Sequence, residues 1–282
     1  MVAKISAKDV KKLRDLTGAG MMDCKKALTE AEGDTEKAIE LLRKKGQKMA
    51  GKRADRDAKE GVVIALTSAN RNNGVIIRLG CETDFVAKGE SFVNLANSIA
   101  ELALKNLPAS LEDLLALPYE GGMSVSEKLI EQIGVIGEKV EVSKYEKIVT
   151  AAGEGQVIPY IHMGYRAGVI VALNLEGPSF IEPGKNVAMQ VAAMRPIALD
   201  KDGVDATVVE KEIEIGKEQA RLEGKPEAIL DKIAMGRLNK FYKERTLLNQ
   251  MYVKSNKQSI TQYLQSIDKK LTVTDFKHVE LG

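Results

Sequence analysis

The stretch GVVIALTSANRNNGVIIRLG, residues Gly61 to Gly80, decides how the rest of the chain is read. Two runs rich in β-branched residues, 61–69 and 74–80, flank Asn70, Arg71, Asn72 and Asn73, whose side chains suit a turn. The segment therefore reads as a β-hairpin. On both sides of it the apolar period changes from two to that of a helix.

Upstream, Ser6 and Asp9 form a capping-box start, Val10, Leu13 and Leu16 supply one apolar face, and Gly18 stops the helix. A second helix is expected over 22–31 with Ala27, Leu28 and Ala31 inward. Gly33 and Asp34 then open a third, with Ala38, Ile39, Leu41 and Leu42 buried and Gly46 as its stop. Residues 47–60 lack apolar periodicity and carry charges of both signs. They read as a charged linker, partly helical, either a solvated connector or a basic docking strip.

Downstream, helical patterns cover 85–106, 110–117 and 124–133, and a strand covers 139–150. The theme then recurs: a second hairpin over 156–163 and 168–175, a helix over 185–194, and a closing helix and strand over 259–267 and 271–281. Hairpin followed by helices, twice, points to an α+β fold whose two-part core holds antiparallel sheets. Residues 204–241 are helical throughout except at Gly224-Lys225-Pro226, which marks an inserted antiparallel coiled-coil hairpin. Val208, Ile215 and Leu222 are its expected seam on the first arm, Leu230, Ala234, Leu238 and Phe241 on the second. The expected division is an N-terminal three-helix module at 1–46, the linker at 47–60, one core subdomain at 61–152, and a second at 153–282 that includes the hairpin.

Composition narrows the function. A chain of 282 residues is long enough for about two domains. Its 42 Lys and Arg against 40 Asp and Glu leave a net charge of +2, which disfavours direct nucleic-acid binding through a basic surface. With no Trp, 5 Phe and 7 Tyr, base-stacking platforms are poorly supplied. Two His and two Cys leave little for a zinc site or a His-dependent triad. Lone Cys24 and Cys81, an N-terminus without an apolar signal core, and no long apolar run point to a cytoplasmic protein with no membrane partner.

Motifs for chemistry fail on inspection. Gly46 to Lys52 matches part of a phosphate-binding loop, but Arg53 stands where the hydroxyl residue belongs, and a helix precedes it instead of a strand. Asp200 to Gly203 lacks the later ligands of a calcium loop and reads as a turn. His162, on an expected strand, and His278 have no partner at a catalytic spacing. An enzyme is not expected, and no cofactor is implied.

Two segments remain. In LRDLTGAGMMDCKKAL, residues 13–28, Met21 and Met22 enter a helix; composition favours core filling, and adaptable contact is the alternative. In CETDFVAK, residues 81–88, Thr83 or Asp84 caps a helix and Phe85 falls in its first turn. A buried ring is the bland expectation, an anchor for another protein the sharper one.

These two segments, in this order and spacing, resemble the translation elongation factor Ts family, and the resemblance spans the chain. It implies a guanine nucleotide exchange factor for the GTPase elongation factor Tu, bound in its GDP and nucleotide-free forms, with an N-terminal module of the ubiquitin-associated type. It implies that Asp84 and Phe85 lie against the GTPase, the ring wedging between two of its helices and disturbing its magnesium and phosphate site. It assigns further contacts to Arg14, Met21 and Met22, to an Ile-Gly pair matched to Ile136 and Gly137 with Ile133 and Gly134 as a second candidate, and to His162 and Val253. The rival from another class is a non-catalytic scaffold that docks partners through the ubiquitin-associated-like module. The chain departs from the family pattern at Arg78 and Gly80, where an acidic residue and Asn are usual, at Gln190, where many members have His, and in stopping soon after its last strand.

Overall fold

The structure, a computed structural model, describes residues 5–282; the first four residues of the expected N-terminal module lie outside that range. It is α+β, with eleven α-helices and two three-stranded antiparallel sheets among the described residues.

Helices α1 (Ala7–Thr17), α2 (Met21–Glu30) and α3 (Thr35–Arg53) come first. Ser6 caps α1: its hydroxyl accepts the Asp9 amide at 3.2 Å, and the Asp9 carboxylate accepts the Ser6 amide at 3.1 Å. Gly18, at φ 69°, ends it. Val10, Leu13, Cys24, Ala27, Leu28 and Ala38 are buried between the three helices. Leu16 is not; it is 61% exposed. Ile39, Leu41 and Leu42 are only partly buried.

The largest correction falls on Gly46 and the linker. Gly46 does not stop α3, which runs on to Arg53. The reason lies outside the helix. A Cβ at Gly46 would stand 2.8 Å from the Ile130 carbonyl oxygen on α7 (Val125–Ile136). Two helices touching backbone to backbone recover what glycine loses in helix propensity, ~1 kcal/mol. This also disposes of the phosphate-loop pattern, whose residues are helical throughout.

The hairpin read from the sequence is present as β1 (Glu60–Thr67) and β2 (Asn73–Cys81), with Ile64 opposite Ile77. β3 (Val140–Val149) adds antiparallel to β2. One face of this sheet packs under α5 (Glu90–Asn106), α6 (Leu111–Ala116) and α7, burying Val62, Ile64, Ile77 and Leu79 against Phe92, Leu95 and Ile99. The expected helix over 85–106 is broken: α4 (Asp84–Ala87) is a single turn, separated from α5 by Lys88 and Gly89.

The second sheet repeats the plan with β4 (Gln156–Ile161), β5 (Ala167–Leu173) and β6 (Val273–Glu280), β6 pairing with β5. It carries α8 (Ile181–Met194), which starts four residues earlier than read because Pro183 is tolerated in a first turn, and α11 (Ile260–Ile267). The two sheets pack face to face through Val63, Ala65, Ile76, Val157, Ile170 and Ala172. Strands β1, β2 and β5 are thus covered on both faces, which is why they read as unbroken apolar runs. Gly168 permits the approach; a Cβ there would lie 2.8 Å from Val63 Cγ1.

Helices α9 (Ala206–Leu222) and α10 (Leu230–Arg245) pair antiparallel around Gly224, at φ 74°. The second-arm seam is as read at Leu230, Ala234 and Leu238. The first-arm seam is not. Leu222 is 83% exposed, and the buried residues are Gly216 and Ala220. A Cβ at Gly216 would be 3.2 Å from Ala234 Cα, so small residues draw the axes together and push the heptad aliphatics to the flanks.

Candidate interaction surface

The segment between β2 and α5 is built to present one side chain. Thr83 caps α4 from an extended conformation. In a helix of one turn only one side faces the core, and Ala87 and Val86 take it. Phe85 is left 85% exposed. Burying such a ring stabilises a fold by ~1.5–3 kcal/mol, so its exposure is a feature to be explained. The bland expectation of a buried ring is overturned. Asp84 pairs with Lys88 one turn on, at 2.6 Å; the Lys88 hydrogen bond holds its carboxyl below the usual carboxylate range.

This turn is held from below by carboxylates. Glu138 Oε2 accepts the amides of Glu82 and Thr83 at 3.1 and 3.0 Å, and its Oε1 accepts the Thr83 hydroxyl at 2.7 Å. Glu82 in turn accepts the Lys139 amide at 2.6 Å, and Arg53 Nη1 donates to both of its carboxylate oxygens, at 2.7 and 2.8 Å. Burial pushes the Glu82 carboxyl up, but the Lys139 amide and Arg53 outweigh it and leave it below its ordinary value. The Lys139 ammonium donates to the carbonyls of Ala54 and Arg56 at 3.1 and 3.0 Å. Burial, with Glu138 near by, pushes the Cys81 thiol up to about 12, which leaves it an inert core group.

Glu138 follows directly on the end of α7. That helix runs three residues past its expected end, and Gly137, at φ 83°, closes it by donating to the Ile133 carbonyl at 2.9 Å. The two Ile-Gly pairs have different surroundings. Ile133 is buried in the core and Gly134 lies against Gly46, whereas Ile136 and Gly137 are partly exposed.

Arg14, Met21 and Met22 are all exposed, Met22 by 77%. Core filling does not hold for either methionine. The left-handed turn at Gly18 and the cap at Gly20 start α2 on the surface, and Cys24, Ala27 and Leu28 already fill its inner face. A Cβ at Gly18 would lie 3.9 Å from Val135 Cγ1, so the α1–α2 turn adjoins the end of α7. Beside it a cleft of about 360 Å³ opens between the first three helices and α7, lined by Leu16, Ile39, Leu42, Met123 and Val135. This is where Leu16 goes instead of the core. The α1–α2 turn, the Ile136–Gly137 turn and the Asp84–Phe85 turn are therefore successive neighbours around one helix end.

His162 and Val253 belong to the other sheet's half. His162 lies just past β4, not on it, exposed, with Nδ1 3.0 Å from the Tyr160 hydroxyl. Next to it Met163 is 86% exposed. Val253 is presented by a buried amide: its N–H donates to Gln190 Oε1 at 2.9 Å, while Gln190 Nε2 donates to Gln250 Oε1 and the Met251 carbonyl, both at 3.1 Å.

The remaining motif candidates are structural. Asp200 caps a short turn and accepts from Asn249 at 2.6 Å. His278 sits on β6, where burial lowers its pKa. Two of the departures from the family pattern, Arg78 and Gly80, have local partners. Arg78 donates to the carbonyls of Ala58 and Lys59 at 3.2 and 3.3 Å, and a Cβ at Gly80 would meet the Ala58 oxygen at 2.9 Å. Both secure the strand that leads into the turn. Sequence reasoning missed Arg53, Glu82 and Glu138 as a network, because an ion pair across 29 residues and an amide-to-carboxylate hydrogen bond across 56 leave no local pattern.

Comparison with known proteins converges on one family. The sequence model described as "Elongation factor TS" matches residues 82–282. The elongation factor Ts of Amoebophilus asiaticus is 53% identical over 279 residues, covering 99% of both chains. That of Cytophaga hutchinsonii is 53% identical over 282 residues and that of Chlorobaculum tepidum 46% over 289, each covering 100% of both chains.

Proposed function

The chain belongs to the elongation factor Ts family, and from that membership we propose that it binds elongation factor Tu carrying GDP and drives GDP release by holding the GTPase in a distorted, nucleotide-free state. It is a nucleotide exchange factor of translation elongation. Its action is linkage: a factor that stabilises the nucleotide-free form lowers GDP affinity, and GDP lowers the factor's affinity by the same ratio. No group on the factor makes or breaks a bond.

The observation that carries this reading is the exposed Phe85 ring on a one-turn helix. A rigidly mounted aromatic side chain is the kind of residue that dominates interfaces. Driven between two helices of the GTPase, it displaces elements that hold magnesium. Magnesium demands near-octahedral geometry, so small shifts of its ligands are costly. Asp84 stands beside the ring. Ile136 and Gly137 reach the GTPase near its phosphate loop; Ile133 and Gly134 are set aside because their surroundings are already filled. Arg14, Met21 and Met22 form the N-terminal contact, and His162 and Val253 extend the interface onto the second sheet's half. Arg14, Met21, Met22, Phe85, His162 and Val253 are exposed and Asp84 and Ile136 are half-buried, which supports their part in the contact.

On this reading, residues 1–46 form a ubiquitin-associated-type module, 61–152 and 153–282 are the two core subdomains, and 204–241 is a coiled-coil arm that grips the partner. The connector 47–60 begins as the last turns of α3. Among the described residues no helix is long and apolar enough to cross a membrane, and a factor serving translation works in the cytoplasm. The test is to mix the purified chain with elongation factor Tu. A one-to-one complex that GDP with magnesium dissociates is expected; a complex indifferent to GDP would leave only a scaffold.

A further inference from the structure

We propose that Glu138 is a positioning residue: its carboxylate clasps the turn carrying Asp84 and Phe85 to the Ile136–Gly137 turn, so that the two meet the GTPase as one rigid piece. This rests on the exchange reading above. The geometry is specific. One carboxylate takes three donors, two amides at 3.1 and 3.0 Å and a hydroxyl at 2.7 Å, all from the two residues that precede Asp84. Glu138 itself is the residue after Gly137. Both contact turns are thereby tied to a single side chain one and two residues away from the contact residues.

The need for such a clasp follows from the local structure. A one-turn helix has almost no hydrogen bonding of its own and is unstable in isolation. Here the Thr83 side-chain cap to Val86 is long, at 3.5 Å, and three backbone bonds, Ala87 to Thr83, Lys88 to Asp84 and Gly89 to Val86, are all that closes the turn from within before Gly89 ends it. Without an external hold, the ring of Phe85 would sample many orientations. A wedge that must order itself on docking loses affinity and force to that ordering. A carboxylate accepting backbone N–H groups is among the stronger neutral-to-charged hydrogen-bond arrangements. The neighbouring Glu82 carboxylate closes the same piece on its other side, through the Lys139 amide and Arg53. Cys81, buried under the turn, donates its thiol to the Thr83 carbonyl at 3.2 Å.

The chain has no Trp, so Phe85→Trp places one fluorophore on the turn itself. Time-resolved anisotropy of that residue in the free full-length protein reads the turn directly, without the partner. Adding Glu138→Ala is expected to introduce a fast local motion of the indole. Glu138→Gln is expected to suppress it, because the amide oxygen still accepts the two N–H groups and the amide nitrogen donates to the Thr83 hydroxyl. In the Phe85 background, the maximal rate of stimulated GDP release at saturating factor should fall about tenfold in Glu138→Ala and stay within about twofold in Glu138→Gln. A merely structural role would lower thermal stability and leave the anisotropy of a still-folded protein unchanged.

Should Glu138→Ala fail to fold, Glu138→Asp keeps the charge and loses the reach, and is expected to loosen the indole in the same way. An indole equally rigid in the folded Ala or Asp variant overturns the clasp. A loosened indole with an undiminished maximal rate overturns the positioning role. If even Phe85→Ala releases GDP at the unaltered rate, the exchange reading of this turn fails, and with it the role, while the anisotropy still decides the clasp.

Discussion

Gly46 and Gly134 are in backbone contact: a Cβ added to Gly134 would stand 3.0 Å from the Gly46 Cα. This crossing of α3 over α7 fixes how the N-terminal helices sit on the core. It has no room for a methyl group on either side, since the Gly46 Cβ would meet the Ile130 carbonyl at 2.8 Å. The residue that looked like a helix stop is the point where two helices meet.

Gly46→Ala is therefore expected to destabilise the protein, although alanine favours a helix by ~1 kcal/mol over glycine. Overpacking against a backbone atom should outweigh that gain and give a net loss of ~1–3 kcal/mol. Gly51 lies in the same helix, where a Cβ meets no atom within 4 Å among the described residues. Gly51→Ala should raise stability by ~0.4–1 kcal/mol. Urea denaturation of the two variants side by side checks the opposite signs.

Phe85→Ala is expected to leave stability within ~0.5 kcal/mol of the parent, as for surface substitutions that touch no core. Stimulated release of a fluorescent GDP from elongation factor Tu should fall at least about thirtyfold, the kinetic equivalent of a ~2 kcal/mol anchor. An unchanged rate at equal factor concentration would show that the ring is not the wedge.

Much of the fold was legible because its signals are local. The hairpin turn at Asn70–Asn73, the capping box at Ser6 and Asp9, and the Gly224-Lys225-Pro226 break are written in adjacent residues. What was illegible depends on neighbours distant in the chain. Gly46 and Gly216 look like weak helix residues until the opposing helix is seen. Met21, Met22 and Phe85 are apolar, and composition assigns apolar side chains to the core; only the prior filling of the inner faces by Cys24, Leu28 and Ala87 sends them outward. Glu138 is one glutamate among many until its three donors appear.

The Glu82 carboxylate gives a pH signature with a defined sign. Its folded-state pKa lies below the ordinary 4.5, so its ion pair and hydrogen bonds stabilise the fold fully above that value. The contribution is lost as the pH falls through the lower, folded-state value. Glu82→Gln should therefore lower stability at neutral pH and flatten the acid limb of the curve. Urea midpoints from about pH 7 down to about pH 3.5 measure it; an acid limb as steep as the parent's would mean other carboxylates set it.

Gln190 supplies the last test, because it stands where many family members have His. Its side chain makes three hydrogen bonds to the 250–253 segment, two as donor and one as acceptor from Val253. A neutral imidazole offers one donor and one acceptor, so it can replace two of the three. Gln190→Ala replaces none and leaves a cavity, and should cost ~2–4 kcal/mol. Gln190→His should cost less. Amide hydrogen exchange at Val253 separates repair from mere tolerance: its protection should vanish in the alanine variant and persist in the histidine variant, where a ring nitrogen accepts that N–H. Equal loss of protection in both would mean that the glutamine amide cannot be replaced by a ring, and that the 250–253 loop of this chain is held in a way of its own.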